Sequence, residues 1–455
     1  MKINIIGTGY VGLACCAFLA QHGNEIICSD SNAEKIAQLK SDSFECSEPF
    51  IFDIIRGSSN ISFSTEYQFE QDIYLVCVGT PNAGNIPDLS HIKSVISELK
   101  RCISSSSIII LKSTILPGTT QLFKKLLGLD NPVYFIPEFL SEGNCFKDYI
   151  EAEKIIIGTI DEQKENHLLA KFLSFHTCSE IHFSDYETAE LTKYANNIML
   201  ASRIATMNQI ALVADKVGAN MKKIEHFVGL DSRIGSKYLK AGLGFGGSCL
   251  EKDLIALNYI SPQDQETTLF SNIIKNNRYQ AQYFAEKIIA TLDKTFNHKT
   301  VVLTGLTFKN NSDDCRNSCA AYLLYYLMKA GYKIKLHDTI LHRKGILDNF
   351  LPEFERLTSV SLNKKNNQFG SIAVEKEDLL IKSKILSGQL EIIEKINESL
   401  KDTHALIICQ KHEPFELNYS YLKEYMSEPN LFDPNKHLDS EKAKRLGFYY
   451  FSIGH

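Results

Sequence analysis

Two periodicities divide the chain. Over the first 160 residues, short apolar runs alternate with helical segments. Residues 2–6 (KINII), 25–29, 73–78 (IYLVCV), 108–112, 133–136 and 155–158 read as strands, and 10–22 reads as a helix. Near-continuous apolar strands separated by helices are the pattern of a parallel sheet covered on both faces. From 186 to 217 the pattern becomes one unbroken helix, YETAELTKYANNIMLASRIATMNQIALVADKV, without Pro or Gly. About 30 helical residues span about 45 Å, a length that suits a connection between domains or a dimer interface. The chain stays helical to about residue 295, apart from a Gly-rich loop near 242–248. A new strand at 298–306 (HKTVVLTGL), a turn and helix, and a strand at 332–338 (YKIKLHD) then echo the opening pattern, with Asp338 in the place of Asp30. Residues 340–400, rich in Lys, Glu, Asn and Ser and including NKKNNQ, read as a solvated insertion.

These elements predict an α/β protein: two Rossmann-like domains with parallel sheets, joined by a central helical domain that contains one long helix. At 455 residues the chain is long enough for two or three domains, and the pattern places them at 1–185, 186–296 and 297–455. A formal net charge of −5 argues against nucleic acid as the main partner, because no overall basic field exists to release counterions. No uncharged apolar run approaches the length of a membrane span, and the opening MKINIIGTGYVG lacks the apolar core of an export signal. The 12 cysteines include adjacent Cys15 and Cys16 and several in predicted strands or helices (Cys28, Cys77, Cys409), with no CxxC pair. That usage predicts a reducing cytoplasm and neither a disulfide framework nor a metal site.

Candidate chemistry begins at GTGYVG. Gly7 permits a tight turn, Gly9 lets the backbone approach a pyrophosphate, and Gly12 allows close packing of helix on strand. The helix N-terminus beyond supplies N–H groups for phosphate. Asp30 ends the second strand, where a carboxylate accepts from a ribose 2′-hydroxyl and repels a 2′-phosphate, so NAD is expected over NADP. VGTPNAG (78–84) and KSTILPGTT (112–120) each follow a strand at the edge where open sheets bind ligands.

The segment AGLGFGGSCLEKD (241–253) crowds glycines against Cys249. Ser248 is expected to cap a helix, with Cys249 in its first turn, where the positive end of the helix dipole lowers a thiol pKa. Asp253, four residues on, shares the Cys249 face, and Lys252 points elsewhere. A buried structural cysteine beside a flexible loop is the competing reading. Lys193 and Asn197, one turn apart on the long helix, could steady an oxyanion or lie on a solvated surface. Glu138 and Glu142 in IPEFLSEGN are general acid–base groups, cofactor contacts or surface acids.

Taken together, GTGYVG, VGTP, KST, PEFLSEG, AELTKYANN, NQIA, DSRIG, GFGGSCLEKD, NRYQ, GLTFKNNSDDCRNS and the tail GFYYFSIGH resemble, in family order, the UDP-glucose/GDP-mannose dehydrogenases. The resemblance implies an N-terminal NAD domain, a central dimerisation domain and a C-terminal domain for the UDP-sugar, with a homodimer as the assembly. It implies Cys249 as nucleophile with Asp253 as acidic helper, Lys193 and Asn197 as oxyanion groups, and Glu138 and Thr114 as proton-handling and water-positioning groups. NAD contacts implied are Gly7, Gly9, Tyr10, Val11, Gly12, Asp30, Lys35, Thr80, Pro81, Thr114, Glu142, Lys252 and Arg316. Substrate positions implied are Phe139, Leu140, Lys193, Asn197, Arg233, Tyr238, Leu239, Gly244, Phe245, Gly246, Asn277, Phe308 and Lys309, some of which could serve a neighbouring subunit.

The implied chemistry is a double oxidation of a sugar C6 alcohol. One hydride leaves to give an aldehyde, a thiolate adds to form a thiohemiacetal, a second hydride leaves to give a thioester, and water releases a uronic acid. UDP-glucose is the expected substrate. GDP-mannose, a non-catalytic NAD- or sugar-nucleotide-binding regulator, and a single-step β-hydroxyacid dehydrogenase are the alternatives. This chain departs from the family pattern at Ser141 (often Arg) and Glu251 (Pro), in lacking the late TEW motif, and at Asn435, where a substrate-binding Arg is expected and Lys436 is the neighbouring cation.

Overall fold

The computed structural model describes residues 1–41, 49–84, 86–141, 143–160, 166–178, 180–293, 299–359, 388–412 and 417–454. They form two compact units, Met1–Asn196 and Asn197–His455. Among the described residues no helix is long and apolar enough to cross a membrane, and no cluster of His, Cys, Asp or Glu is placed to hold a metal ion.

The first unit is built on eight strands: β1 (Lys2–Ile6), β2 (Glu25–Ser29), β3 (Ile61–Ser64), β4 (Ile73–Val76), β5 (Ile108–Leu111), β6 (Val133–Phe135), β7 (Ile155–Gly158) and β8 (Ile181–Ser184). Their order in the sheet is β8-β7-β6-β5-β4-β1-β2-β3. The strands from β6 to β3 run parallel, β7 joins β6 antiparallel through Phe135 and Gly158, and β8 is parallel to β7. Strands such as Ile108–Leu111 are buried at every position, as expected of a sheet covered on both faces. Order reverses between β1 and β4, so the ligand-binding crevice lies beyond the carboxyl ends of those two strands.

The helix Tyr186–Val217 begins in this unit. Glu190 on it is fully buried and caps the helix Thr119–Leu127: its carboxylate accepts from Gly118 N (2.6 Å), Thr120 N (2.7 Å) and Thr120 Oγ1 (2.6 Å). Burial pushes the Glu190 carboxyl up to about 7 against these donors.

The second unit carries β9 (Thr300–Thr304), β10 (Lys333–His337), β11 (Leu390–Ile392), β12 (Ala405–Ile408), β13 (Asn430–Phe432) and β14 (Tyr449–Phe451). All neighbours are parallel, in the order β11-β10-β9-β12-β13-β14. The helices Met221–Gly229, Leu250–Ile260 and Leu269–Leu292 lie in the same unit. Phe284, Ala281 and Ile288 of the last join Leu323, Leu327, Val301 and Leu303 in one core.

Two expectations need correction. The non-helical stretch around the glycines runs from 230 to 249, longer than 242–248. The reading of 340–400 as a solvated insertion fails at both ends: residues 342–359 are helical, Ile346, Phe350, Leu351 and Phe354 enter the core, and Leu390 is buried in a strand. Residues 360–387, including NKKNNQ, lie outside the described residues.

Candidate functional site

The loop after β1 is shaped by its glycines. Gly7 has φ +97° and donates to Ser29 O at 2.8 Å, and a Cβ there would meet Cys77 O at 2.8 Å. A Cβ at Gly12 would collide with Gly7 O, which explains how closely helix Tyr10–Gln21 sits on the turn. At Gly9 a Cβ would meet nothing within 4 Å, so the loop faces open space there, and the first helical N–H groups, at Tyr10 and Val11, adjoin it. This is the cradle a pyrophosphate needs.

Asp30 stands beside it. Its Oδ2 accepts from Thr8 N (2.9 Å) and Thr8 Oγ1 (2.7 Å), its Oδ1 accepts from Asn32 N (3.0 Å), and Lys35 Nζ lies 3.9 Å away. Burial would raise the carboxyl, but these donors and the ammonium outweigh it and hold it below the ordinary carboxylate range. The side chain keeps 18% exposure, enough to meet a ribose.

The second unit repeats this turn and closes it. Gly305 (φ +77°) donates to His337 O, and Leu306 N donates to Asp338 Oδ2 at 2.7 Å, as Thr8 N does to Asp30. Asp338, however, is buried and fully engaged. Its Oδ1 accepts from Ile340 N and Leu341 N, and its Oδ2 also faces His412 Nε2 at 3.2 Å. Because Asn311 N donates to His412 Nδ1, the ring's proton sits on Nε2 and points at the carboxylate. No lone pair of Asp338 is left for a ribose, so the dinucleotide site is the one in the first unit.

Glu138 follows β6 in the first unit and is nearly buried. Lys193 Nζ donates to Glu138 O at 2.6 Å and lies 3.2 Å from Glu138 Oε1, while Leu140 N donates to Oε2 at 2.8 Å. Burial opposes ionisation, yet Lys193, the Leu140 N–H and Lys112 outweigh it and hold the Glu138 carboxyl below its ordinary range. The Phe139 ring lies between two cations, Lys154 and Lys193, at 4.6 and 5.3 Å. Thr80 Oγ1 donates to Thr114 O at 2.5 Å, joining the loops after β4 and β5, and Pro81 beside it is exposed. Glu142 lies outside the described residues.

Cys249 is the one exposed thiol among the described cysteines; Cys15, Cys16, Cys28, Cys77 and Cys409 are buried. It is itself the cap residue of helix Leu250–Ile260, so the expected cap at Ser248 is wrong. The chain at Cys249 is already in the helical region and no side chain caps the turn. Ser248 Oγ instead lies 3.6 Å from the sulfur. An uncapped N-terminal turn leaves its N–H groups and positive dipole end facing the thiol.

Asp253 is 1% exposed and accepts from Asn197 Nδ2 at 2.6 Å and from Lys252 Nζ at 2.7 Å. Lys252 therefore turns toward Asp253, contrary to the expectation that it points elsewhere. Lys193 and Asn197 are 4% and 7% exposed, which rules out a solvated helix face.

The glycine loop before Cys249 is held by side chains of which sequence inspection passed over Glu225 and Asn208, took Asn277 as a substrate position and noted Asn435 only where an Arg is expected. Ala241 N donates to Glu225 Oε1, Gly242 N to Asn208 Oδ1, Leu243 N to Asn435 Oδ1 and Phe245 N to Asn277 Oδ1, all at 2.8–2.9 Å. Asn277 also donates back to Phe245 O at 2.7 Å, and Gly247 N donates to Arg316 O at 2.8 Å. Buried asparagines on helices facing a glycine-rich loop were the available signal. Asn435 thus anchors the loop, and Lys436 is paired with Glu225 at 3.0 Å.

Among the other expected positions, Phe308 packs where a Cβ on Gly246 or Gly247 would stand, with the half-buried Lys309 beside it. Gly244 (φ +123°) lies against Asn277. Leu239 is buried in the core and Tyr238 is half-exposed at φ +61°. Arg233 is 86% exposed and paired with Asp231, and Arg316 is paired with Asp314.

Comparison with known proteins covers the same ground. Residues 1–175 match the NAD-binding domain of the UDP-glucose/GDP-mannose dehydrogenase family, 187–279 its central domain and 302–440 its UDP-binding domain. The chain is 30% identical to UDP-glucose 6-dehydrogenase of Drosophila melanogaster, over 100% of its own length and 96% of that protein's. Its fold resembles that of a UDP-D-ManNAc dehydrogenase from Pyrococcus horikoshii, with a TM-score of 0.80 at 22% identity, covering 100% of this chain and 99% of the other. It also resembles a UDP-glucose dehydrogenase from Pyrobaculum islandicum, with a TM-score of 0.78 at 23% identity, covering 99% and 97%. The dinucleotide cradle of the first unit is therefore an NAD site, and the chain belongs to the UDP-glucose/GDP-mannose dehydrogenase family.

Proposed function

We propose that this enzyme oxidises UDP-glucose to UDP-glucuronate in two steps through a covalent intermediate on Cys249. The observation that carries the reading is an exposed thiol at an uncapped helix N-terminus, with buried Asp253 in the first turn of that helix accepting from Asn197 of the long helix. NAD, held at Gly7, Gly9, Gly12 and Asp30, supplies the hydride acceptor. The alcohol loses a hydride and a proton to become an aldehyde, to which the Cys249 thiolate adds. The thiohemiacetal loses a second hydride and proton, and water cleaves the resulting thioester to carboxylate and thiol. Asp253 takes one N–H of Asn197 and so aims the other, which donates to the oxyanion alongside Lys193. Glu138, held ionised, serves as the base and Thr114 positions the water. Arg316, Lys35, Thr80 and Pro81 are assigned to NAD, and Phe245, Phe308, Lys309, Tyr238 and Arg233 to the substrate.

With UDP-glucose limiting, two NADH form per sugar. One NADH per sugar would remove the thioester step, and turnover only with GDP-mannose would keep the mechanism and change the substrate. Asp30→Ala raises the Michaelis constant for NAD by about tenfold, the equivalent of about 1.4 kcal/mol; an unchanged constant would undo the ribose assignment.

We also assign a three-part organisation at 1–185, 186–296 and 297–455, and a homodimer built on the long helix. Met199, Val213 and Val217 share one face of that helix and are 62%, 60% and 67% exposed. Solution scattering is expected to return twice the 51.4 kDa chain mass, and a monomer would contradict it. The reduced state of the described cysteines fits a cytoplasmic enzyme.

A further inference from the structure

Glu251 lies two residues beyond Cys249, in the first turn of helix Leu250–Ile260, at a position where the family pattern has Pro. It is 5% exposed, an unusual place for a carboxylate. Its Oε1 accepts from Arg278 Nη2 at 2.5 Å. Arg278 belongs to the neighbouring helix Leu269–Leu292 and lies with its guanidinium 5.8 Å from the Tyr322 ring of a third helix, Cys319–Lys329. Burial works against the guanidinium's charge, but Glu251 outweighs it and raises the Arg278 pKa further, so the pair is ionic.

The charges have opposite effects on a thiol at this helix end. An anion in the first turn stabilises the helix but opposes thiolate formation, and a cation paired with it restores the balance. The remaining charges near the turn are already matched: Lys252 with Asp253, Arg316 with Asp314, and Arg356 with Glu353. Asn317 links the last pair to the glycine loop, since its Nδ2 donates to Gly247 O and its N to Glu353 Oε1. Glu251 depends on Arg278 in the same way.

We propose that Glu251 and Arg278 form a positioning pair for Cys249. The first turn of the helix carries two carboxylates: Asp253 is held by Lys252 and Asn197, and Arg278 neutralises the other, Glu251, and ties the Cys249 turn to the adjacent helix. The inference rests on Cys249 being the nucleophile, but its test needs no turnover.

The test is the pH dependence of Cys249 alkylation by iodoacetamide in the full-length protein, followed by mass spectrometry of the Cys249 peptide. Arg278→Gln leaves the anion alone and is expected to move the midpoint of alkylation up by about one pH unit. Glu251→Gln leaves the cation alone and is expected to move it down by a similar amount, the size expected for a unit charge within the same helical turn. The double variant is expected to return to within about 0.3 unit of the parent. A purely structural role would not give opposite signs and recovery. If both single variants shift in the same direction, or neither moves, the proposal is wrong. If Arg278→Gln does not fold, the downward shift of Glu251→Gln and the recovery in the double variant decide alone. Opposite shifts in a protein that forms no second NADH would leave the pair intact and overturn the reaction assigned to Cys249.

Discussion

Cys249→Ser binds NAD as the parent does, and the second oxidation, read as the second NADH per sugar, slows roughly 10³-fold or more. The argument begins with what a hydroxyl lacks. A serine at this helix end is protonated at neutral pH, and the nearby carboxylate of Asp253 is already committed to Asn197 and Lys252. The aldehyde then has no nucleophile, and an aldehyde alone is a poor hydride donor, so the second oxidation stops. NAD binding is expected to be unaffected because the contacts proposed for it, at Gly7–Gly12, Asp30, Lys35, Thr80, Pro81 and Arg316, do not include Cys249. Stability is unaffected too, within about 0.5 kcal/mol, because the side chain is exposed. Equilibrium binding of NAD and NADH yield per sugar check both halves. Near-normal NADH output would rule out covalent catalysis.

The second large effect falls on Glu138 and Lys193. Their side chains are 10% and 5% exposed, and they form an ion pair at 3.2 Å. Removing one partner strands a buried ion, which costs about 3–5 kcal/mol. Lys193→Met and Glu138→Gln are therefore both expected to lower the denaturant midpoint, and the double variant to lose clearly less than the sum of the two. Additive losses would mean that the pair is not coupled. The pH dependence has a definite sign. The folded Glu138 carboxyl lies below its ordinary value of 4.5, so its stabilising contribution is present above about pH 4.5 and is lost as pH falls through the lower, folded value. Glu138→Gln should flatten that acid limb. A limb of unchanged steepness would place the acid sensitivity elsewhere.

The parts of this enzyme that were legible in its sequence are those written in local patterns. The glycine spacing of GTGYVG located the turn because strand, turn and helix are contiguous in sequence, with Gly7 at positive φ, Gly9 facing open space and Gly12 against Gly7 O, and Asp30 followed at the end of the next strand. The long helix was readable to its last residue, since no Pro or Gly interrupts Tyr186–Val217. Helical spacing put Lys193 and Asn197 one turn apart, but not their burial or their partners, because Glu138 and Asp253 are distant in sequence. The stretch 342–359 was misread for a related reason. Its apolar residues at 346, 350, 351, 354 and 357 have helical periodicity, but Asp, Asn, Glu and Arg between them, and a polar run beyond, drowned the signal. Ser248 looked like a cap because its residue type favours one, yet the backbone at Cys249 already has helical geometry and the cap position moves on by one.

The anchoring of the glycine loop has a consequence for how the protein is made. Leu243 is held by Asn435, 192 residues later in the chain. At about 5–20 residues per second, a ribosome needs about 10–40 s to reach that anchor after completing the loop. Through that interval the thiol at Cys249 is attached to a loop whose backbone N–H at 243 still lacks the partner supplied by residue 435. Each nascent chain therefore carries the Cys249 thiol before its loop is fully anchored, and protection of that thiol during translation is expected to raise the yield of chains with Cys249 unmodified.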